Sequence, residues 1–259
     1  MTKYELLGIG NALVDVMSDV NDGFLQAQDL VKGSMQLIDE NRANNLVSNI
    51  GKPHMISGGS CANSMAGFAS LGGKGAFIGK IKNDELGRSF QNDMEMLGCS
   101  FAAVPSEEGL PTGMCLVFVT PDAQRTMCTH LGTAAMLSPT DLNETVISNS
   151  KIIYLEGYLF DQPIAQKAMF RAAKTARKAG VKVAITLSDS FCVDRHRDSF
   201  IDLVQGNADI LFANEDEFLS LYQAKDLDEA AYLNDDKCAI MCITRGEKGA
   251  VVFAGDDRV

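Results

Sequence analysis

Four short stretches carry side chains able to grip a small polar molecule. Asn11 and Asp15 flank the end of an apolar run, where an amide and a carboxylate can exchange hydrogen bonds with sugar hydroxyls, or close an Asx turn or a helix cap. Gly58-Gly59-Ser60 with Asn63 offers close backbone approach, free N–H groups and an amide one helical turn on. That set suits a hydroxylated or anionic ligand at a helix N-terminus, and equally a glycine turn with a Ser cap. In Asn214-Glu215-Asp216-Glu217, Asn214 can reach a phosphate and Glu217 can hold water on Mg²⁺, which keeps most of its waters; acids in a first helical turn also complement the helix dipole. Thr244-Arg245-Gly246, with Gly249 after it, sets a hydroxyl beside glycine N–H groups, an arrangement for a nucleotide phosphate or for a bare turn.

More familiar chemistry is missing. Gly8-Ile9-Gly10-Asn11-Ala12-Leu13 has Leu where the dinucleotide fingerprint needs its third glycine, and there is no G-x-x-x-x-G-K-[ST]. H-E-x-x-H and G-x-S-x-G are absent, and His54, His130 and His196 lack metal-ligand spacing. Rossmann dehydrogenases, P-loop enzymes, zinc hydrolases and serine hydrolases are therefore unsupported.

The elements that must position these residues are legible from hydrophobic period. Leu6 to Ile9 and then Ala12 to Met17 read as one first strand extended past a kink, and residues 18 to 38 as strand-rich. Ser60 to Leu71 and Asp84 to Leu97 have helical spacing, Ala76 to Gly79 and Met114 to Val119 read as strands, and Pro121 to Gln124 as a turn returning through Arg125 to Cys128. From residue 151 the order is regular: strands at 152–155, 181–187, 210–212 and 239–243 alternate with helices at 164–179, 198–204 and 215–222. Such alternation means βαβ units, hence a parallel sheet with helices on both faces. Gly249 to Val259 is a β-run and a turn signal that stops where a returning strand should begin, so the sequence reads as cut rather than finished.

The 259 residues, 46% of them apolar, are enough for one large α/β domain. A net charge of −11 repels polyphosphate backbones and argues against a nucleic-acid binder. Seven scattered cysteines without a C-x-x-C pair read as reduced cytoplasmic thiols, and neither a signal peptide nor a long apolar span is visible.

In this order the motifs resemble those of the ribokinase-like family of sugar and nucleoside kinases, also called after phosphofructokinase B. The likeness runs through Gly8-Ile-Gly-Asn11-x-x-x-Asp15, Gly58-Gly59-Ser60-x-x-Asn63, Leu71-Gly72-Gly73, Ile78-Gly79-Lys80 with Asp84-x-x-Gly87, Asn214-x-x-Glu217 and Thr244-x-Gly246-x-x-Gly249. Within the family, Ile9-Gly10-Asn11-Ala12, Gln124-Arg125-Thr126-Met127 and Glu156-Gly157-Tyr158 look most like the adenosine-kinase branch. The resemblance implies one α/β kinase domain over residues 1–259, with a small β lid from about 11–38 and 110–131. It implies transfer of the ATP γ-phosphoryl to a primary hydroxyl of adenosine or a related ribosyl substrate, with Mg²⁺ and often a monovalent cation such as K⁺. Asn11, Asp15, Gly58, Gly59 and Asn63 would hold the sugar, Tyr158 would face the purine or pack in the core, and Arg125 would steady the moving phosphoryl group. Asn214 and Glu217 would organise phosphate and hydrated Mg²⁺, and Thr244 and Gly246 would border the ATP tail.

One departure stands out. The family's Gly-Ala-Gly-Asp segment, which supplies the anion hole and general base, has no counterpart; Ala254-Gly255-Asp256 comes too soon after Thr244 and lacks the first glycine. The chain is thus expected to stop before the catalytic segment and to be inactive alone. A free-sugar kinase of the ribose or fructose type, and a non-catalytic sugar-binding or nucleoside-binding module, remain the alternatives, and oligomeric state is left open.

Overall fold

The computed structural model describes residues 3–234, 237–255 and 257–259. In chain order it runs β1 (Tyr4–Ile9), β2 (Leu13–Asp19), α1 (Asp22–Ala27), β3 (Met35–Leu37), α2 (Glu40–Ser48), β4 (His54–Gly58), α3 (Ser60–Ser70), β5 (Gly75–Ile78) and α4 (Glu85–Met96). There follow β6 (Cys99–Phe101), β7 (Gly113–Val119), β8 (Arg125–His130), α5 (Glu144–Ser148), β9 (Ser150–Glu156) and α6 (Pro163–Lys178). The rest is β10 (Lys182–Thr186), α7 (Ser190–Asn207), β11 (Ile210–Asn214), α8 (Glu215–Tyr222), α9 (Leu227–Asn234), β12 (Ile240–Thr244), β13 (Ala250–Ala254) and β14 (Asp257–Arg258).

The strands form two sheets. The larger, ordered β14-β13-β12-β11-β10-β9-β1-β5-β6, is parallel from β12 to β6, with β13 and β14 antiparallel at one edge. The parallel sheet and its crossover helices are the α/β architecture expected. Strand β9 is followed by α6, whose Ala165, Ala168, Ala172, Ala173 and Ala176 are buried. That stripe of small side chains at helical spacing lets the helix axis lie close to the sheet. Asp84 caps α4 by accepting from the Gly87 N–H at 2.8 Å, which ends the preceding loop as its position before an amphipathic run requires.

The second sheet, ordered β3-β8-β7-β2-β4, is drawn from four separated segments. Its side chains alternate as strand geometry demands. Val14, Val16, Leu116, Phe118 and Cys128 are buried in one cluster with Leu25 and Leu30, beside α1, and Leu46 from α2, while Leu13, Asp15, Cys115, Met127 and Thr129 stand on the opposite face. Each such buried Leu, Val or Phe contributes roughly 1.5–3 kcal/mol, so packing against the helices, more than any single hairpin, fixes this sheet.

Three expectations are corrected. Residues 6 to 17 are two strands in different sheets, because Gly10-Asn11-Ala12 carries the chain from one to the other. Asp15 therefore sits inside β2 and not at the end of the first strand. Residues 18–38, read as strand-rich, are mostly helix α1 and loop, with only Met35–Leu37 extended; Asn21 accepts from the Phe24 N–H at 2.9 Å and nucleates the helix. Beyond Gly255 a return does begin, pairing Arg258 with Phe253, while Asp256 lies outside the described residues. All seven cysteines are free thiols, six of them buried.

Candidate functional site

The order of the larger sheet reverses at β1, which lies between β5 and β9 although both come later in the chain. Open α/β sheets bind ligands at such a switch point, beyond the carboxyl ends of the strands. Here those ends present Gly10 and Asn11 after β1 and Glu156 and Gly157 after β9, with Thr186, Asn214 and Thr244 closing β10, β11 and β12. Register places Glu156 opposite Thr186 and Asn214 opposite Thr244.

Over the switch point lies a cavity of about 490 Å³ lined by Asn11, Leu13, Asp15, Met35, Leu37, Gly59, Ser60, Asn63, Cys115, Met127, Thr129, Leu131, Glu156, Tyr158, Asp161, Asp189, Phe191 and Arg195. The fold thus brings Asn11, Asp15, Gly59, Asn63 and Tyr158 together from three separated parts of the chain. Gly58 stands directly behind Asp15: a Cβ on it would lie 2.3–2.5 Å from the carboxyl carbon and oxygens, so the glycine leaves the room that the carboxylate occupies. Burial holds the Asp15 carboxyl above the usual aspartate range. The Tyr158 phenol is pushed up to about 12, by burial first and then by the charges of Asp189, Glu156 and Glu217. Burial also raises the Cys115 thiol to about 11, which makes it an apolar wall and not a nucleophile.

Gly58-Gly59-Ser60 differs from its sequence reading. Gly59, not Ser60, is the N-cap of α3, with φ 95° and ψ 141° and no capping side chain. Glu156 reaches this turn from across the sheet: its carboxylate accepts from the Asn11 N–H at 2.5 Å and the Ser60 hydroxyl at 2.7 Å, and the Ser60 and Cys61 N–H groups lie close enough to favour its ionised form. Glu156 is 1% exposed, and burial raises its carboxyl above the normal range despite these donors.

The remaining candidates stand outside this cavity. Arg125 is exposed near the β7–β8 turn, on the same face of β8 as Met127 and Thr129 but beyond the lining residues. Asn214 and Glu217 form a reciprocal capping box: the Asn214 Oδ1 accepts from the Glu217 N–H at 2.7 Å, and the Glu217 Oε2 accepts from the Asn214 N–H at 3.0 Å. The second Glu217 oxygen accepts from the Asn214 side-chain amide at 2.7 Å. Thr244 ends β12, and Gly246 opens a short 3₁₀ turn with φ +57° closed by Gly249 with φ +81°. Among the described residues no group of three or more His, Cys, Asp and Glu side chains is placed to hold a metal directly.

Several cavity residues escaped sequence reasoning. Asp161 takes three bonds from the Arg195 guanidinium, from Nη2 at 2.8 and 2.9 Å and from Nε at 3.2 Å, and contacts His196 Nε2 at 3.0 Å. Asp189 caps α7 by accepting from the Cys192 N–H at 3.0 Å, and Phe191 stands 70% exposed on the rim. The cap pattern at Asp189 was the one local signal that could have marked this helix start at Ser190, about two turns before the apolar period that begins at residue 198.

Comparison with known proteins gives a consistent picture. Residues 29–259 match the family described as pfkB family carbohydrate kinase. A protein from Arabidopsis thaliana named probable fructokinase-5 is 28% identical over 199 residues, which are 74% of this chain and 61% of that protein. A 5-dehydro-2-deoxygluconokinase of Listeria monocytogenes is 29% identical over 205 residues, 76% of this chain and 63% of that one. The chain thus spans about three fifths of the length of these curated relatives. Among solved structures, a probable sugar kinase protein from Rhizobium etli superposes with a TM-score of 0.90 at 42% identity, covering 100% of this chain and 79% of that one. The adenosine kinase from Sinorhizobium meliloti gives 0.89 at 43% identity, covering 99% and 79%. With the family match extending from just after α1 to the last strand, the chain belongs to the pfkB family of carbohydrate kinases.

Proposed function

We propose that this chain binds an uncharged ribonucleoside of the adenosine type in the switch-point cavity and takes part in transferring the γ-phosphoryl of ATP to its primary hydroxyl. The observation that carries this reading is the two-sided lining: Asn11, Asp15, Ser60 and Asn63 face an apolar wall of Leu13, Met35, Leu37, Met127, Leu131 and Phe191. Hydroxyls need the first side and a flat apolar base needs the second. A free hexose would leave that wall in contact with water. The charge of the lining points the same way, since Asp15, Glu156, Asp161 and Asp189 surround it while its arginine, Arg195, is already paired with Asp161. A sugar acid would meet those carboxylates. Titrating the chain calorimetrically with adenosine, ribose, fructose and gluconate separates the readings. Saturable adenosine binding with no heat from the sugars supports the nucleoside; tighter binding of fructose or gluconate replaces it with a free-sugar or sugar-acid kinase, as the names of the curated relatives suggest.

ATP would lie along Asn214, Thr244 and Gly246 at the neighbouring strand ends, with Arg125 supplying positive charge to the moving phosphoryl group. Phosphoryl transfer asks for positioning and charge neutralisation more than for a nucleophilic side chain. Mg²⁺ would neutralise the phosphate oxygens. Glu217 suits contact through water, because each of its oxygens accepts one hydrogen bond from Asn214 and, among the described residues, no cluster of three ligating side chains forms a direct site. Glu217→Gln tests that role, since the Gln oxygen can still accept from the Asn214 N–H and keep the capping box, losing only the bond from the Asn214 side-chain amide. The variant is expected to need more Mg²⁺ for half-saturating ATP binding, with adenosine affinity unchanged; an unaltered Mg²⁺ requirement would leave Glu217 as a cap only.

A further inference from the structure

We infer that Glu156 is the positioning residue of the sugar-binding floor, fixing Asn11 and the first turn of α3 against each other through one buried carboxylate. Its hydrogen-bond donors are neutral, the Asn11 N–H at 2.5 Å on one oxygen and the Ser60 hydroxyl at 2.7 Å on the other, with the N–H groups of Ser60 and Cys61 close by. All of them belong to the two segments that carry Asn11, Gly59 and Asn63. Helix α3 begins at a glycine, so its first turn has no local side chain to satisfy it, and the acceptor arrives from 96 residues further along the chain. The fit is close. A Cβ on Gly10 would lie 2.4 Å from Glu156 Oε2 and 2.5 Å from Cys61 Cβ, so the carboxylate reaches Asn11 only because residue 10 is glycine.

Two features make a carboxylate necessary here. A donor stands on each of its two oxygens, and an ionised carboxylate accepts at both whereas an amide accepts at one and turns its own N–H groups on the other donor. The group is also 1% exposed, so water cannot stand in for a lost acceptor. Glu156 thus acts through Asn11 and α3 on whatever hydroxyls they hold, and in this it rests on the nucleoside reading above.

The test compares wild type with Glu156→Gln, and with Ser60→Ala as a milder variant that removes a single donor. Adenosine and 2′,3′-dideoxyadenosine are titrated against each, and amide hydrogen exchange at Asn11, Ser60 and Cys61 is followed without ligand. Glu156→Gln is expected to weaken adenosine about tenfold or more while dideoxyadenosine changes little, and to speed exchange at all three amides. Ser60→Ala should show the same pattern at smaller amplitude. Equal losses for both nucleosides would mean a general loss of structure and overturn the inference, as would unchanged exchange. If wild type binds neither nucleoside, the functional reading fails on its own, and the exchange measurement still decides the role of Glu156.

Discussion

Asp15→Asn is expected to weaken adenosine by about ten- to a hundredfold and, at neutral pH, to raise the unfolding temperature. The first effect follows from chemistry, since each hydroxyl bonded to an ionised carboxylate contributes about 1.5–3 kcal/mol, and an amide, which accepts at one atom only, loses one such bond where the carboxylate holds two and weakens the other. The second follows from the direction of the pKa shift. Burial raises the Asp15 carboxyl in the folded state above its unfolded value, so the ionised form opposes folding. That cost is fully present above the folded pKa and disappears as pH falls through it and then below the unfolded value. Asparagine never bears the cost, so the stability gap between variant and wild type should be open at pH 7 and close as the pH falls through the folded pKa. Calorimetric titration together with thermal unfolding from pH 7 down to acid checks both halves. Unchanged affinity would remove Asp15 from the sugar site, and a lower unfolding temperature at pH 7 would show that something in the fold relies on its charge.

Gly59→Ala should be the most damaging of the single-methyl additions near the cavity. At φ 95° and ψ 141° the backbone lies where side chains are scarcely tolerated, which costs about 1–3 kcal/mol. The new methyl would also stand 2.5 Å from the Asn11 carbonyl oxygen, a backbone atom unable to swing aside as a side chain does. In a chain of this size each kcal/mol lowers the unfolding temperature by roughly 2–4 °C, so a fall of several degrees is expected, with adenosine binding lost as Asn11 is displaced. The same helix holds its own control. Gly67 is exposed in the interior of α3, with nothing within 4 Å of an added Cβ, so Gly67→Ala should stabilise by about 0.5–1 kcal/mol. Opposite signs from the two alanines confirm that conformation and crowding, not helix propensity, govern residue 59; a harmless Gly59→Ala would contradict the geometry of the cap.

Most of the fold after residue 150 was legible because its strands are short apolar runs and its long helices amphipathic, so local period and final burial largely agree, although the start of α7 and all of α9 went unread. The first half was not, for a reason visible in β3. Three residues, two of them exposed, carry no period to read, and their pairing partners are more than 90 residues away in β8. The site divides in the same manner. Asn11, Asp15 and Gly58 to Asn63 are dense clusters of special residue types, and the cavity gathers most of them. Glu156 is a lone acid at the end of an apolar strand; its meaning lies in Asn11 and Ser60, 145 and 96 residues away. Asn214 and Glu217 could be read as a capping box or as a phosphate and metal pair, and both descriptions fit the same three hydrogen bonds.

The passage of the chain between its two sheets has a consequence for how such a protein can change over generations. Gly10-Asn11-Ala12 joins β1 to β2, Gly59 joins β4 to α3, and the two crossings touch. The chain crosses between the sheets again after β6 and after β8, but this touching pair also forms part of the floor on which a ligand would rest. Junction and palate are one structure. Selection for a new substrate therefore cannot alter Asn11 or Gly59 without disturbing the join between the sheets, whereas Met35, Leu37, Leu131 and Phe191 lie away from that join. Diversity of preference among relatives built on this plan should accumulate in that apolar wall and spare the junction.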